Sequence, residues 1–529
     1  MNDPSVLDDR RELRALLWDA CELEHQLMLQ YLFAAFTLKK FEDDSCTRDQ
    51  LEAIRRWGST IMVVARQEME HLALANGILS AIGEDPFFPR DNIPLRSRYF
   101  LGEHRAKAAA AAAEEAGGVD PGPTPKDIEF RWEKFNRDTM ARFVCAESPD
   151  WRHVQGTAMY PSWCFADPAA DPALRLSAAS GQAPLKLSRS HVDELVRAVS
   201  SKGLFASIPV HPGAIQELYG KIDALLKKHP EYFKGVPDRQ VFIPVEYQIS
   251  VIKITDYVSA SAAIDQIVEE GEGIETPPDY ESHFARFWGV YQELLQMLPT
   301  GFDPALPVAM NPLPDESWIP YTRAVSELLD DAYVVLLYVL TSLYRNYGGR
   351  DRPPYLTEAL QNVAFGPFMT MIVRPVAEVL VHLRIHEGGT ETAGPVFQLT
   401  DEQEERIWPR PSLPDVPGAG LVPGRPGSHR TEEEREAITG ELDDIDFILG
   451  RMDALCRRLA ELSGEANDAE SAELVSQLST ALVEQADEGW ARGRLAYVRE
   501  SAEAMANNVR RIYQVGQLPQ FNVQVEWPL

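Results

Sequence analysis

The sequence is poor in cysteine, in basic charge and in long apolar runs. Each shortage argues against a class of protein. Five cysteines are scattered over 529 residues without a Cys-x-x-Cys pair. They are too few to cross-link a chain of this length, so we expect a reducing compartment. Lys and Arg number 51 against 81 Asp and Glu, which gives a net charge of −30. This charge repels phosphate backbones and anionic lipid surfaces, which argues against nucleic-acid and membrane partners.

No apolar run approaches the roughly 20 residues that a membrane-spanning helix needs. The first residues, MNDPSVLDDRRELR, lack the basic and then apolar pattern of a secretory signal. We therefore expect a cytoplasmic protein. With 45% apolar residues, the chain can bury a large core, and its length suffices for about two to four domains.

What the sequence does contain is helical periodicity. Apolar residues recur at steps of three and four in four stretches, at about 13–40, 50–82, 212–229 and from 259 onward. This spacing predicts four amphipathic helices. The alternating VFIPVEYQISVIKI between Phe233 and Ile254 predicts one or two short strands. The expected fold class is mainly all-α, a four-helix bundle with extra helices, a small β excursion and a C-terminal helical hairpin.

The sequence also predicts a division of the chain into parts. These are a bundle over 1–300, additional helices packed on it over 301–407, a Pro/Gly linker over 408–427, and a helical hairpin with a tail over 428–529. Two stretches of the bundle region are predicted to be insertions, the alanine-rich 101–126 and the loop-rich 148–208. The C-terminal hairpin is a surface through which we expect a homodimer to form.

Polar side chains interrupt the apolar stripes of the first two predicted helices. In the second helix, Glu68 falls on the stripe that contains Ile61 and Leu72, and His71 lies one turn further on the same side. In the first helix, Glu24 lies on the apolar stripe in the same way. Burying a carboxylate is costly unless a positive charge compensates it, and a metal ion does so most economically.

A Glu from one helix and a Glu-x-x-His from the next make up half of a carboxylate-bridged di-iron or di-manganese site in a four-helix bundle. The other half requires a Glu on the third helix and a Glu/His pair on the fourth. The third helix offers Glu217. The fourth offers Glu269 or Glu272, with His283 across the interruption GIETPPDYES. The choice between Glu269 and Glu272 stays open.

Other polar residues have competing explanations. Glu147, in FVCAESP, is a further candidate ligand, although a capping role or a buried salt bridge is the preferred interpretation. His382 and His386 are spaced i, i+4 but stand at a helix end, where a cation suits the helix dipole. Glu70 points off the stripe and is expected to be solvated or an outer carboxylate. Tyr31 is the catalytic candidate, able to line a pocket, donate a hydrogen bond or transfer an electron, or to be simply a core residue.

Several stretches occur in a characteristic order: ELEHQLMLQYLFAAF, ARQEMEHLALANGILSAIGEDP, RFVCAESP, AIQELYGKI, AIDQIVEEGEG with SHFARF, and TAGPVFQL. Together they resemble the ferritin-like family named after iminophenyl-pyruvate dimer synthase, whose domain also occurs in the violacein and rebeccamycin pathway enzymes that couple two amino-acid-derived imines. The resemblance runs from about Leu13 to Leu399.

The resemblance implies a ferritin-like bundle with non-haem iron and oxidative chemistry in secondary metabolism. By position, it implies the metal ligands Glu24, Glu68, His71, Glu217, Glu269 or Glu272, and His283. The expected protein is an oxidase or oxygenase that uses two iron ions per chain, or manganese, and O2 on a small amino-acid-derived or aromatic metabolite. Two alternatives stay open: imine coupling without O2 activation, and a non-catalytic metal-binding protein of a biosynthetic complex.

Overall fold

The structure, a computed structural model, describes residues 4–41, 46–97, 128–147, 214–233, 240–246, 249–271, 282–297, 302–347, 352–409, 431–464 and 488–516. The helices are α1 (Pro4–Phe36), α2 (Arg48–Ala81), α3 (Arg137–Ala146), α4 (Ala214–Lys228), α5 (Tyr257–Gly271), α6 (His283–Met297), α7 (Pro320–Asn346), α8 (Pro354–Ala364), α9 (Arg374–Leu380), α10 (Asp401–Ile407), α11 (Glu432–Gly440), α12 (Ile445–Ser463) and α13 (Glu488–Gly516). The predicted mainly α fold class is confirmed.

The helices α1 and α2 pack along each other and form the centre of the molecule. A capping box starts α2, in which Thr47 Oγ1 accepts a hydrogen bond from the Gln50 backbone N–H and the Gln50 side chain accepts one from Thr47. The helix ends before Gly83, whose φ of 81° lies in the left-handed region that glycine adopts without strain. Both ends of α2 therefore lie within two residues of the predicted 50 and 82.

The third and fourth positions of the bundle are each divided into two helices. One position comprises α3 and α4 and the other α5 and α6, because α3 packs on α6 while α4 packs on α5. α4 also contacts α1, and both α5 and α6 contact α2. Glu147 directly follows α3, and His283 is the first residue of α6. Helix ends, rather than helix middles, therefore bring these side chains into the bundle.

Two small antiparallel sheets connect the helices. β1 (Leu95–Ser97) pairs with β2 (Ile128–Phe130), with Arg96 opposite Glu129. β3 (Ile243–Glu246) pairs with β4 (Ile249–Val251) in the predicted hairpin between α4 and α5. The predicted insertions at 101–126 and 148–208 lie outside the described residues.

The helices α7, α8 and α9 cover the side of α1 and α2 that faces away from α3 and α6. Tyr344 of α7 donates a hydrogen bond to the Ala73 carbonyl at 3.1 Å. Gly394 packs so closely that a Cβ there would lie 2.6 Å from the Phe33 ring. α12 and α13 pack together, and α13 also contacts α8 and α9. The four-part division of the chain and the homodimer stay predictions.

One helical stretch departs from the expectation that no segment is apolar enough to cross a membrane. Pro354–Leu380 spans 27 residues, and its most apolar window has a mean hydropathy of 1.4. However, 67% of that window is buried inside the protein, as in the core helix of a globular domain.

Candidate metal centre

Four carboxylates and two imidazoles converge in the bundle from different helices. They are Glu24 of α1, Glu68 and His71 of α2, Glu147 at the end of α3, Glu270 of α5 and His283 of α6. All six residues are at most 9% exposed. Ionisable groups are rarely buried at this density without a compensating partner, which makes the cluster the prime functional candidate.

His71 contacts three of the carboxylates. Its Nδ1 lies 3.4 Å from Glu68 Oε2 and 3.6 Å from Glu24 Oε2. Its Nε2 lies 3.2 Å from Glu270 Oε2. One imidazole therefore joins acids from three helices.

His283 approaches the same centre from the opposite side. Its Nδ1 lies 3.0 Å from Glu68 Oε1 and 3.7 Å from Glu147 Oε2. The two oxygens of Glu68 therefore face different histidines, and ligand atoms of Glu68, His71 and His283 all lie within 4.8 Å of one another. This is the position that a bridging carboxylate occupies between two metal ions.

Two buried tyrosines hold the carboxylates of Glu147 and Glu24 in place. Tyr31 Oη donates to Glu147 Oε1 at 2.5 Å, and Tyr219 Oη donates to Glu24 Oε1 at 2.7 Å. In both acids the second oxygen remains directed at a histidine. Such hydrogen bonds hold a metal-binding carboxylate in one orientation. Burial, together with Glu147, raises the pKa of Tyr31 well above its usual value, which keeps the phenol protonated.

Amide side chains fix the fourth carboxylate. Gln266 Nε2 donates to Glu270 Oε1 at 3.2 Å and to Glu70 Oε1 at 2.7 Å. Gln67 Nε2 donates to Glu270 Oε2 at 3.2 Å. Glu70 is 5% exposed and accepts a further bond from the Ser250 backbone N–H. It is therefore an outer carboxylate that orients Gln266, and the expectation that it could be solvated is wrong.

Without a cation, this cluster must hold protons. Burial, helped by Glu68, raises the pKa of Glu24 to about 7. Burial disfavours a charged His283, but Glu68 and Glu147 outweigh it and raise the pKa of His283 to about 9. Burial likewise opposes a charged His71, yet its carboxylate neighbours raise the pKa well above the usual value. In the metal-free protein, protonated His71 and His283 therefore compensate the excess negative charge of the carboxylates.

The contacts of His283 indicate whether the cluster suits metal ions as well as protons. Among the described residues, neither ring nitrogen of His283 nor Glu147 Oε2 has a hydrogen-bond partner. Glu68 Oε1 is close to His283 Nδ1 but lies outside hydrogen-bonding geometry. Two neutral imidazoles and four carboxylates would balance the charge of two divalent cations, and this donor set suits iron and manganese. The residues therefore fit a pair of metal ions.

A sequence model of the ferritin-like family matches residues 17–292, which is more than half of the chain and includes all six residues of the cluster. The chain belongs to the ferritin-like family.

Two biosynthetic enzymes are similar to this ferritin-like chain. The 2-imino-3-(indol-3-yl)propanoate dimerase of Chromobacterium violaceum is 27% identical over 74% of the chain and 34% of the relative. The dichlorochromopyrrolate synthase of Lentzea aerocolonigenes is 25% identical over 75% of the chain and 36% of the relative. The chain thus spans about a third of the length of these curated relatives. No solved structure matches it.

Four of the ligands expected from the sequence meet in the ferritin-like centre: Glu24, Glu68, His71 and His283. Glu217 does not reach it. Glu217 is half-buried on α4 and accepts a hydrogen bond from Lys221 at 3.1 Å. The buried side of α4 carries Tyr219 instead, and a residue two positions away on a helix points to a different side. The helix therefore contributes a tyrosine to the centre and no carboxylate.

The carboxylate of α5 is Glu270, where Glu269 or Glu272 was expected. Glu269 is exposed, and Glu272 lies outside the described residues. One residue along a helix rotates a side chain by about 100°, which separates the buried Glu270 from its exposed neighbour. The signal was available, because buried Ala263 and Ile267 lead to position 270 at steps of four and three.

Glu147, which the sequence offered as a further candidate ligand, is fully buried and belongs to the cluster. Its signal was also available, because the buried Phe143 lies four residues before it. His382 and His386 lie away from the centre. The Nδ1 of His382 is 2.8 Å from the Glu378 carbonyl oxygen, and that of His386 is 3.2 Å from the Ser317 carbonyl oxygen.

Proposed function

We propose that this ferritin-like chain is a non-haem di-iron oxidoreductase that acts with O2 on a small amino-acid-derived or aromatic metabolite. The observation that carries the proposal is the pair of buried histidines facing opposite oxygens of Glu68, with both ring nitrogens of His283 lacking a hydrogen-bond partner in the described chain. Manganese is the alternative metal, because the same donors bind it.

In this proposal Glu68, whose two oxygens contact His71 and His283, would be a ligand of the ion pair. Glu24, His71 and Glu270 would hold one ion, and Glu147 and His283 the other, following the contacts within the cluster. When bound, the iron pair supplies the electrons that reduce O2.

The protein's own residues orient and protect this centre. Tyr31 donates a hydrogen bond to Glu147, and Tyr219 donates one to Glu24, so that each acid directs its other oxygen at a histidine. The Tyr31 ring contacts Phe143 and Phe287 edge-on, with centroids 4.6 and 4.9 Å away. These rings exclude water from the Tyr31 hydroxyl, which keeps its hydrogen bond to Glu147.

A second candidate function is the coupling of two reactive imines without O2 activation. Its support is that the two similar enzymes are a dimerase of an imino acid and a dichlorochromopyrrolate synthase. In that case, the residues of the cluster would hold ions that supply a Lewis acid. The enamine tautomer of one imino acid would add through its β-carbon to the imine carbon of the other, whose nitrogen takes the proton, so that no oxidant is consumed.

Oxygen dependence separates the two candidates. The protein is loaded with ferrous iron under anaerobic conditions and mixed with O2-saturated buffer, with and without the imine formed from indole-3-pyruvate and ammonia, which needs no O2. Oxygen uptake with a transient visible absorption supports the oxidoreductase. Imine consumption under strictly anaerobic conditions, without O2 uptake afterwards, supports coupling and contradicts the leading proposal.

A further inference from the structure

A wide cleft opens on the side of α1 and α2 that faces α8 and α9, and it is positively charged. Among the described residues, the cations that line it are Lys39, Lys40, Arg55, Arg66 and Arg374, against one acid, Glu378. The protein as a whole carries a net charge of −30. A cationic cleft on so acidic a chain is therefore a local feature that attracts anions.

Arg66 differs from two other cations of the cleft in having no acidic partner in the described ranges. Lys40 and Arg374 both pair with Glu378, at 2.6 and 2.9 Å. Arg66 is half-buried and makes no hydrogen bond or ion pair with any residue of the described ranges. A partly desolvated guanidinium without a partner costs free energy, which a bound carboxylate recovers through paired hydrogen bonds.

An apolar cavity adjoins the cleft. Leu32, Met69, Phe365 and Met369 line both spaces. The helical stretch changes to a π-helical turn at Met369–Val373, beside this shared boundary. Such turns are frequent at functional sites because they displace side chains from the regular helical positions. The boundary thus includes two adaptable methionine side chains, of which Met369 lies on this irregular turn.

The largely apolar lining of the cavity includes a hydrogen-bonded pair of polar side chains. His25 and Tyr333 both line the cavity, and Tyr333 Oη hydrogen-bonds His25 Nε2. Arg90 Nε donates to the same Tyr333 oxygen at 3.2 Å. Because the Tyr333 oxygen accepts from Arg90, its proton is directed at His25. A ligand in this cavity would therefore meet apolar walls with hydrogen-bonding groups at one end, as in most small-molecule sites.

We propose that the cleft and the cavity form one binding site for a small organic anion, whose carboxylate pairs with Arg66 and whose apolar body passes Met69 and Met369. The site shares α2 with the metal centre, because Met69 directly follows Glu68. The identification of this anion with the substrate rests on the proposed function, whereas its binding does not require the metal.

Calorimetric titration of the full chain tests the site, with 3-phenylpropanoate as the probe and its uncharged amide as the matched analogue. Metal-free and iron-loaded protein should both bind the carboxylate, and the amide should bind about tenfold or more weakly. Propanoate, which lacks the ring, should also bind more weakly. Equal binding of the carboxylate and the amide to the wild-type protein would overturn the proposal, whatever the variants do.

Variants at two arginines of the same helix locate the anchor. Arg66→Gln should weaken 3-phenylpropanoate binding about tenfold or more, and Arg66→Lys should have an intermediate effect, because lysine keeps the charge but loses the paired donors. Arg56→Gln is the control, since Arg56 is 60% exposed, pairs with Glu293 and does not line the cleft. Unchanged binding by Arg66→Gln overturns the proposal.

Iron content distinguishes this site from the metal centre. Arg66→Gln should retain the wild-type iron content and melting temperature while losing the anion. If the wild-type protein binds the anion but no iron, the anion site is supported and the proposed di-iron function fails.

Discussion

The imidazole rings of His71 and His283 lie face to face, with centroids 5.3 Å apart and planes inclined by 26°. Two imidazolium rings repel each other at this distance, particularly in a buried site. Metal-free protein nonetheless favours charge on both rings, because Glu68 and its neighbours raise their pKa values. Metal ions resolve this conflict, since they neutralise the carboxylates and leave both rings uncharged.

The substitution Glu68→Ala should abolish metal binding and leave the protein folded. It removes the shared ligand, and with it a negative charge that the core would otherwise have to compensate. Iron measured after anaerobic loading should fall to background, with an unchanged far-ultraviolet dichroism spectrum. Glu52→Ala, at an exposed position of the same helix, is the control and should bind iron normally. Wild-type iron content in Glu68→Ala would exclude Glu68 as a ligand.

Adjacent glutamates of α5 provide an internal comparison. Glu270→Gln should lower the iron content and weaken the remaining binding, because Glu270 contacts His71 while being held by two glutamines. Glu269→Gln removes the same charge from an exposed position and should change neither. The measurement is iron per chain with a competing chelator. An effect of the Glu269 substitution equal to that of Glu270 would contradict the assignment.

These two neighbours also indicate how far the sequence alone leads. Long stripes of apolar residues predicted α1 and α2, and they identified Glu68 and His71, because many turns of one helix agree on the buried side. Glu270 lies in the last turn of a short helix, where an error of one residue selects the wrong side. The stripe through Ala263 and Ile267 leads to Glu270, but it selects this residue only if α5 continues without interruption to Gly271.

The contacts that link distant parts of the chain were beyond prediction. Tyr31 meets Glu147 across 116 residues, and Gln266 meets Glu70 across 196. Residue spacing gives the side of each helix but not which helix lies opposite. The apolar spacing of α4 therefore indicates that Tyr219 is buried but not that its hydroxyl reaches Glu24.

The tyrosine hydroxyls should contribute to metal affinity. Tyr219→Phe removes the hydrogen bond to Glu24, and we expect iron binding to weaken by roughly 10–100-fold, the usual effect of losing a partner that orients a ligand. Tyr31→Phe should act in the same way through Glu147. The affinity is measured by chelator competition. Tyr497→Phe, at an exposed position of α13, is the control, and equal affinities in all variants would refute the orienting role.

The stability of the metal-free protein should fall as the pH rises from 6.5 to 9. His283 has a folded pKa of about 9 against an unfolded value near 6.5. Its stabilising contribution is therefore complete below pH 6.5 and lost as the pH rises through 9, which amounts to roughly 3 kcal/mol. Glu24 acts in the same direction, because its raised pKa of about 7 means that folding increasingly opposes its ionisation from pH 4.5 to 7.

Iron-loaded protein should lack this pH dependence, since its imidazoles are neutral and its carboxylates ionised throughout the range. Melting temperatures of both forms at pH 6.5, 7.5 and 9 provide the comparison. A metal-free form that is more stable at pH 9 than at pH 6.5 would show that the histidines are not charged in the folded cluster.

The number of metal ions per chain tests the di-iron centre most directly. Purified protein is loaded with ferrous iron under anaerobic conditions, freed of unbound metal and analysed for iron and protein. Two ions sharing Glu68 predict about two iron atoms per chain, falling to background in Glu68→Ala. Less than about one iron atom per chain in the wild-type protein, with manganese no better retained, would contradict the account.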